Sequence, residues 1–187
     1  MSAAARPRPA TPKAATDIAA GAFVCAAAAV LVLAATAAAV ALSGLADDAR
    51  RALRFGFEGA QRTPDEALRL AIHNARFAAG TLLCAIVAPR LPTRARLLVH
   101  LMLTSLLAIN AGLVGVALGA YGERVAAAIA LHLPLEFAAL SLAGGAYMST
   151  SKQPLAPRAL ARIAALCALL LACAATLETY SPLGGLR

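Results

Sequence analysis

Five long apolar blocks, separated by short polar links, dominate the pattern of hydrophobic and polar positions along the chain. They cover about residues 18–46, 71–88, 97–119, 125–148 and 159–177. A helix needs about 18 or more apolar residues to cross the hydrocarbon core of a bilayer, and each block reaches that length. The pattern therefore predicts an all-α membrane protein, a bundle of about five transmembrane helices.

The two ends of the chain are polar. Residues 1–16 are basic and rich in proline, which is typical of a disordered tail. Residues 17–182 are expected to form a single transmembrane domain, and residues 183–187 a short tail. The first apolar block is about twice as long as the roughly 7–15-residue core of a signal peptide, so we expect it to be retained as the first span. Cleavage at the small residues of Gly44-Leu45-Ala46 is the alternative.

The link after the first span mixes charged and apolar residues. Residues 47–63 contain Leu53, Phe55 and Phe57 among several arginines and acids. This mixture favours an interfacial helical segment at the membrane surface. An ordinary solvated loop is the alternative interpretation.

A helix start follows that link. Thr63 suits the N-cap, Pro64 the first helical position, and Glu66, three residues after Thr63, completes a capping box. The helix is expected to be amphipathic at first, then to enter the membrane and to stop near Pro89 or Pro92.

The basic residues indicate an orientation rather than nucleic-acid binding. The formal net charge is +8, but the arginines and lysines flank apolar blocks and are not interleaved with stacking aromatics. Total Lys and Arg counts on the two sides of the five spans nearly tie. The short links 89–96 and 149–158 are basic, whereas the 121–124 turn holds one arginine, which predicts a cytoplasmic N-terminus and an outside C-terminus in a bacterial cytoplasmic membrane.

Ionisable groups inside the fourth apolar block are the main candidate for chemistry. His132 and Glu136 are four residues apart and therefore share a helix face, and Pro134 between them is expected to kink the helix. Because charges are costly in lipid, this face should point into protein. With Asn110 at mid-depth of the third span, the pair predicts an intramembrane polar cluster. Asn74, Glu178 and Pro134 are its supporting residues.

This cluster has two interpretations. Its members either form hydrogen bonds that lock helices together, or serve as a buried ion pair, a proton site or half of a metal site. A metal site would need further ligands, and His73, His100 and Glu178 lie near span ends, so none is predicted. The sequence has no zinc-protease, serine-hydrolase or nucleotide-binding motif, so we expect no enzymatic activity and no cofactor.

Four elements resemble the stage II sporulation protein M family of small bacterial membrane proteins, over roughly residues 55–182. In order, they are an asparagine early in the second span, a mid-span asparagine followed by glycines, a His-x3-Glu element followed by Ala-Gly, and a terminal acidic and proline element. The residues concerned are Asn74; Asn110, Gly112 and Gly115; His132, Glu136, Ala143 and Gly144; Glu178 and Pro182. The family usually has Asn-Asn at the first element, Asn-Gly at the second and Pro-His-Gly before the glutamate, so order and spacing agree better than identities.

The resemblance implies a scaffold that assembles with other membrane or cell-envelope proteins, in a role linked to cell-wall remodelling or sporulation-type morphogenesis. The short loops leave no room for a catalytic domain. The alternative is a small permease or channel-like subunit in which the His/Glu/Asn cluster lines a polar path, since transporter sites use broken helices near mid-membrane. Five helices enclose little space, so that alternative calls for a homo-oligomer.

Overall fold

Helices account for the regular secondary structure in the computed structural model, which describes residues 12–54, 62–150 and 154–180. The predicted all-α class is confirmed. The helices are α1 (Pro12–Ser43), α2 (Ala46–Leu53), α3 (Pro64–Val87), α4 (Thr93–Tyr121), α5 (Glu123–Ile129), α6 (Leu133–Thr150) and α7 (Pro157–Tyr180), with a 3-10 turn at Ala88–Arg90.

Four of the helices in these ranges are each long and apolar enough to cross a membrane, namely α1, α3 with its 3-10 turn, α4 and α7. Helices α5 and α6 meet the same criteria only as a pair, and they are bent by 63° at the break between them. The chain is therefore a multi-pass membrane protein with four spans, or five when the bent pair counts as one.

The helix ends differ from the predicted limits mainly at the N-terminus. Helix α1 begins at Pro12, so residues 12–16, which the sequence assigns to a tail, are helical. Residues 1–11 of that tail and the predicted C-terminal tail, 183–187, lie outside the described residues. Proline is tolerated in the first turn of a helix, so Pro12 can begin α1 well ahead of the apolar block.

The predicted start of the second span is confirmed, with one difference. The Thr63 hydroxyl accepts a hydrogen bond from the backbone N–H of Glu66 (3.3 Å), and Pro64 follows the cap. The Glu66 carboxylate binds Arg69 at 2.6 and 2.8 Å instead of turning back to the cap, so one half of the capping box forms. A carboxylate gains more from a cation one turn away than from a neutral N–H.

A short amphipathic helix, α2, follows the first span and is fastened to α4. The Arg50 side chain donates to the carbonyl oxygen of Ala120 at the end of α4 (2.7 Å) and lies 6.0 Å from the ring centroid of Tyr121. A guanidinium is well placed there, because the last carbonyls of a helix lack partners and carry partial negative charge. Phe55 and Phe57, predicted to belong to the same interfacial segment, lie outside the described residues.

The fourth apolar block is a broken helix rather than the kinked single helix that its proline predicts. Pro134 lies in the first turn of α6, where a missing N–H has little cost, whereas in a continuous helix its ring would crowd the carbonyl of Ala130. The chain therefore turns over residues 130–132. The carbonyl of His132 then accepts the first hydrogen bonds of α6, from the N–H groups of Leu135 and Glu136 (3.0 and 3.1 Å).

Helix α6 lies at the centre of the bundle, against α1 on one side and α3 and α7 on the other, and α1 in turn packs against α4. Its buried residues are nearly all small: Ala139, Ser141, Ala143, Gly145, Ala146, Tyr147, Ser149 and Thr150. A Cβ added to Gly145 would meet backbone atoms of Ile18 and Ala22 in α1. The two backbones are therefore in direct contact, which is how membrane helices pack without a hydrophobic driving force.

The outer faces of the bundle are apolar. In α1, Phe23, Leu31 and Leu42 are 74%, 70% and 87% exposed. Side chains of this size at this exposure suit a hydrocarbon solvent, not water. The bundle thus has a core of small residues and a surface of large ones.

Replacing Gly145 by alanine should destabilise the protein by about 1–3 kcal/mol, because the new methyl group meets backbone that cannot rotate away. The matched control is Gly80→Ala, since nothing lies within 4 Å of a Cβ built there. That change should be neutral or stabilising by up to about 1 kcal/mol, from helix propensity alone. Unfolding of the purified proteins in mixed micelles measures both, and equal stabilities would contradict the close packing of α1 and α6.

Candidate functional site

The break between α5 and α6 places a glutamate and a histidine at the beginning of a membrane helix. Glu136 lies in the first turn of α6, and His132 directly precedes the helix. The positive end of the helix dipole favours a carboxylate at this position. Both side chains are about half-buried between neighbouring helices.

Glu136 is tied to α3 by a short hydrogen bond. The side-chain amide of Asn74 donates to Oε1 of Glu136 at 2.5 Å, across 62 positions in the sequence. A hydrogen bond in a poorly solvated site is stronger than the same bond in water. Asn74, which the sequence identifies only as a supporting residue, is therefore a direct partner of the central carboxylate.

Helix α7 contributes the third side of the cluster. Glu178, near the end of α7, is close enough to interact electrostatically with both the His132 imidazole and the Glu136 carboxyl. Two carboxyl groups and one imidazole therefore lie in one region, and one of the carboxyl groups is hydrogen-bonded to the Asn74 amide. We call Asn74, His132, Glu136 and Glu178 the polar junction, since it connects α3, α6 and α7 at one end of the bundle.

Two of the sequence-predicted residues take other positions. Asn110 lies on an exposed face of α4, and within the described residues its side chain has no hydrogen-bond partner. Pro134 is exposed and acts through the backbone, by setting the break that brings His132 and Glu136 into place. Helix α4, the third span, packs mainly against α1, and α1 in turn packs against α6. Asn110 in the middle of α4 is therefore remote from the polar junction.

The candidate metal ligands are dispersed. His73 is exposed on α3, and His100 stacks on Tyr147 with ring centroids 6.2 Å apart. Across residues 12–54, 62–150 and 154–180, no group of three or more His, Cys, Asp or Glu side chains is arranged to hold a metal ion. The junction brings together carboxyl and imidazole groups, which are the side chains that proton sites in membrane proteins use.

Buried hydroxyls nearby were not indicated by the sequence. Thr179, next to Glu178, and Ser141 in α6 are 2% and 4% exposed. Neither hydroxyl has a hydrogen-bond partner among the described residues. Serine and threonine occur throughout this sequence, so composition and spacing carry no signal that would single these two out.

No family model matches the chain, and comparisons with curated proteins and with solved structures gave no match. The likeness to the stage II sporulation protein M family therefore stays a prediction from the residues. The class defined by the fold is a multi-pass α-helical membrane protein.

Removing the Asn74 amide should weaken the junction. We expect Asn74→Ala to lower the free energy of unfolding by about 1–2 kcal/mol, because Glu136 then keeps a poorly solvated carboxyl without its donor. In a Glu136→Ala background the same change should have little effect, which is the signature of a direct pair.

Unfolding in mixed micelles of the wild type, both single variants and the double variant gives the coupling energy. His73→Ala is the matched control, since His73 is the exposed neighbour of Asn74 on the same helix. Strict additivity of the two changes would contradict the hydrogen bond.

Proposed function

We propose that this chain is a non-enzymatic assembly subunit of a bacterial membrane complex, which acts by binding other transmembrane helices within the bilayer. The observation that carries this proposal is the position of Asn110. The resemblance to the stage II sporulation protein M family would connect the complex with remodelling of the cell envelope.

Asn110 lies in an exposed apolar stripe of α4. Residues at helical spacing surround it on this face, and their exposures range from 42% to 58%; they are Met102, Leu106, Ile109 and Leu113. About 16 Å of helix separates Asn110 from the nearer end of α4 at Tyr121, which places the amide deep within the span.

An unpaired amide in hydrocarbon is unfavourable, and interhelical hydrogen bonds between such groups drive helix association. The primary amide both donates and accepts, so it complements an identical amide on a second copy related by a two-fold axis. The surrounding leucine, isoleucine and methionine side chains would pack around that contact. A second copy of the chain is therefore the first partner to test.

The proposed location is the bacterial cytoplasmic membrane, with the N-terminus in the cytoplasm. Helices α1 and α4 run parallel, because successive glycines of α4 meet successive turns of α1: Gly112 with Val32, and Gly119 with Ala37. The beginning of α4 with its arginines thus lies at the same end as the beginning of α1. The short link 89–96 at that end carries Arg90, Arg94 and Arg96, which supports a cytoplasmic location for it under the positive-inside rule.

Replacing Asn110 by leucine should weaken self-association about tenfold, because the apolar contacts persist while the pair of amide hydrogen bonds is lost. Subunit counting by single-molecule photobleaching, over a series of protein-to-lipid ratios in liposomes, measures the dimer fraction. Unfolding of the monomer should be unchanged, since this side chain is exposed within the described bundle.

The control is Ser105→Leu, which changes another exposed polar residue of α4 on a different face of the helix. It should leave the dimer fraction as it is. A wild-type protein that stays monomeric and co-purifies with no membrane protein from native membranes would contradict the proposal.

A permease or channel-like subunit is the second candidate, and the polar junction is the observation that favours it. An interrupted membrane helix with His132 and Glu136 at the break, opposite Glu178, is an arrangement that ion-coupled transporters use. The direct Asn74–Glu136 bond favours a structural role for the same groups.

The double variant His132→Leu/Glu136→Met separates these two roles. If the junction is structural, the variant should unfold more readily, and wild-type proteoliposomes should show no proton or cation flux above empty liposomes under an imposed membrane potential. A wild-type flux that disappears in a variant with normal abundance and assembly would support the permease and contradict the assembly role. His73→Leu serves as the control.

A further inference from the structure

Two sulfur atoms from different helices meet inside the bundle. The Cys25 thiol of α1 donates to the Met148 thioether of α6, with 3.8 Å between Sγ and Sδ, across 123 positions in the sequence. Gly144 makes room for this contact, because a Cβ at that position would lie 2.7 Å from the Cys25 sulfur. The packing of α1 on α6 therefore brings a thiol and a thioether together, although no local sequence motif links them.

A histidine lines the same space as the two sulfur residues. A small cavity of about 60 Å³ has Cys25, Met148 and His100 in its wall, the last of them from α4. The His100 ring stacks on Tyr147, and its nitrogens make no hydrogen bond within the described residues. A thiol, a thioether and an imidazole therefore line one small volume.

These three donors form a set that prefers a soft metal ion. Thiolate and thioether sulfurs select Cu(I), whereas carboxylate and carbonyl oxygens suit hard cations. Two sulfurs bound to one metal at about 2.3 Å, with bond angles between about 109° and 120°, lie about 3.8–4.0 Å apart. The separation of 3.8 Å between Sγ and Sδ therefore already matches that of two ligands of one metal ion.

Charge balance in this poorly solvated site favours a monovalent ion. Binding releases the proton of the Cys25 thiol, and the thiolate then cancels the single charge of Cu(I), while the thioether and a neutral imidazole add none. A divalent ion such as Zn²⁺ would leave an uncompensated positive charge among apolar side chains, which is costly. The apolar residues of the wall are Phe77, Leu103, Leu107 and Leu140.

A larger, open cavity of about 680 Å³ gives access to the site from the end of the bundle where α1 begins, opposite the polar junction. It shares His100, Tyr147 and Met148 with the small cavity, so the two spaces adjoin. This is the proposed cytoplasmic end, and the cytoplasm is a reducing compartment that keeps thiols reduced. Copper that enters from there is Cu(I), the ion that the donor set prefers.

We propose that Cys25, Met148 and His100 bind one Cu(I) ion, with the thiolate and the thioether as sulfur ligands and the imidazole as the nitrogen ligand. The metal takes the place of the proton between the two sulfurs, so one proton is released and no oxidant or reductant is consumed. The bound ion would link α1, α4 and α6. The site is independent of the Asn110 contact and shares no residue with the polar junction.

Anaerobic titration of the purified full-length protein in mixed micelles, against a chromogenic Cu(I) chelator, tests the proposal. The wild type should withdraw a single equivalent of Cu(I) per chain. Cys25→Ser should weaken binding about a hundredfold, because it removes the anionic soft ligand, and Met148→Leu and His100→Leu about tenfold each. The X-ray absorption spectrum of bound copper should show two sulfur neighbours in the wild type and one in Met148→Leu.

Cys173→Ser is the matched control, because Cys173 is an exposed thiol of α7 that lines neither cavity. It should bind Cu(I) as the wild type does. A wild type that binds no Cu(I), unchanged binding in Met148→Leu, or an equal loss in Cys173→Ser would overturn the proposal.

Two further outcomes keep the test decisive. Leucine nearly conserves the volume of methionine, so Met148→Leu and the absorption spectrum decide even if Cys25→Ser does not fold. Displacement of Cu(I) by excess Zn²⁺ would show that the site accepts a divalent ion and would overturn the assignment to a monovalent one.

Discussion

Direct backbone contact between α1 and α6 is the constraint on which this bundle depends. A Cβ on Gly21 would lie 2.9 Å from the Cα of Gly145, and one on Gly144 would lie 2.7 Å from the sulfur of Cys25. Water drives the burial of large side chains in a soluble protein, but lipid does not, so close approach over a long interface supplies the van der Waals energy instead. Helix α1 repeats this device on its other side, where Gly115 faces the carbonyl of Leu33. Two close interfaces on one helix place α4, α1 and α6 in a row, and α3 and α7 complete the bundle behind α6.

Polar contacts act at the ends of this arrangement. At one end, the Asn74 amide joins α3 to Glu136 of α6 through a side-chain hydrogen bond, and Glu178 of α7 lies close enough to interact electrostatically with the same carboxyl group. At the other end, α1, α4 and α6 diverge around a cavity that Arg96 lines. Small-residue packing fixes how closely the helices approach, while the polar groups fix their register. A helix pair held only by glycines could slide by one turn, because alanine and glycine recur at that spacing throughout this sequence.

The apolar blocks, the capping threonine and the proline break could be predicted because each depends on local sequence. The pattern also identified His132, Glu136, Asn74 and Glu178, since ionisable and amide groups in apolar blocks are rare. The contacts among these side chains could not be predicted from the sequence, because they depend on which face each helix turns towards α6. Asn110 illustrates the limit: its chemistry matches that of Asn74, but its helix packs with Gly112 and Gly115 against α1, which turns the amide outward. Alanine-rich helices with weak amphipathicity do not encode that rotation in their periodicity.

Asn110 points outward and Asn74 points inward, so two chemically identical side chains have different surroundings in this bundle. Asn74 satisfies an interior carboxylate and needs nothing outside the chain, whereas the Asn110 amide has no such partner among the described residues. The energetic argument is the same for both, since an amide in hydrocarbon gains from any hydrogen bond it can form. It leads to internal cohesion in one case and, in the proposed assembly, would lead to association in the other. In the proposed assembly, α4 is therefore the helix through which the bundle would meet another membrane protein, because it packs mainly against α1 and carries a polar group on its lipid face.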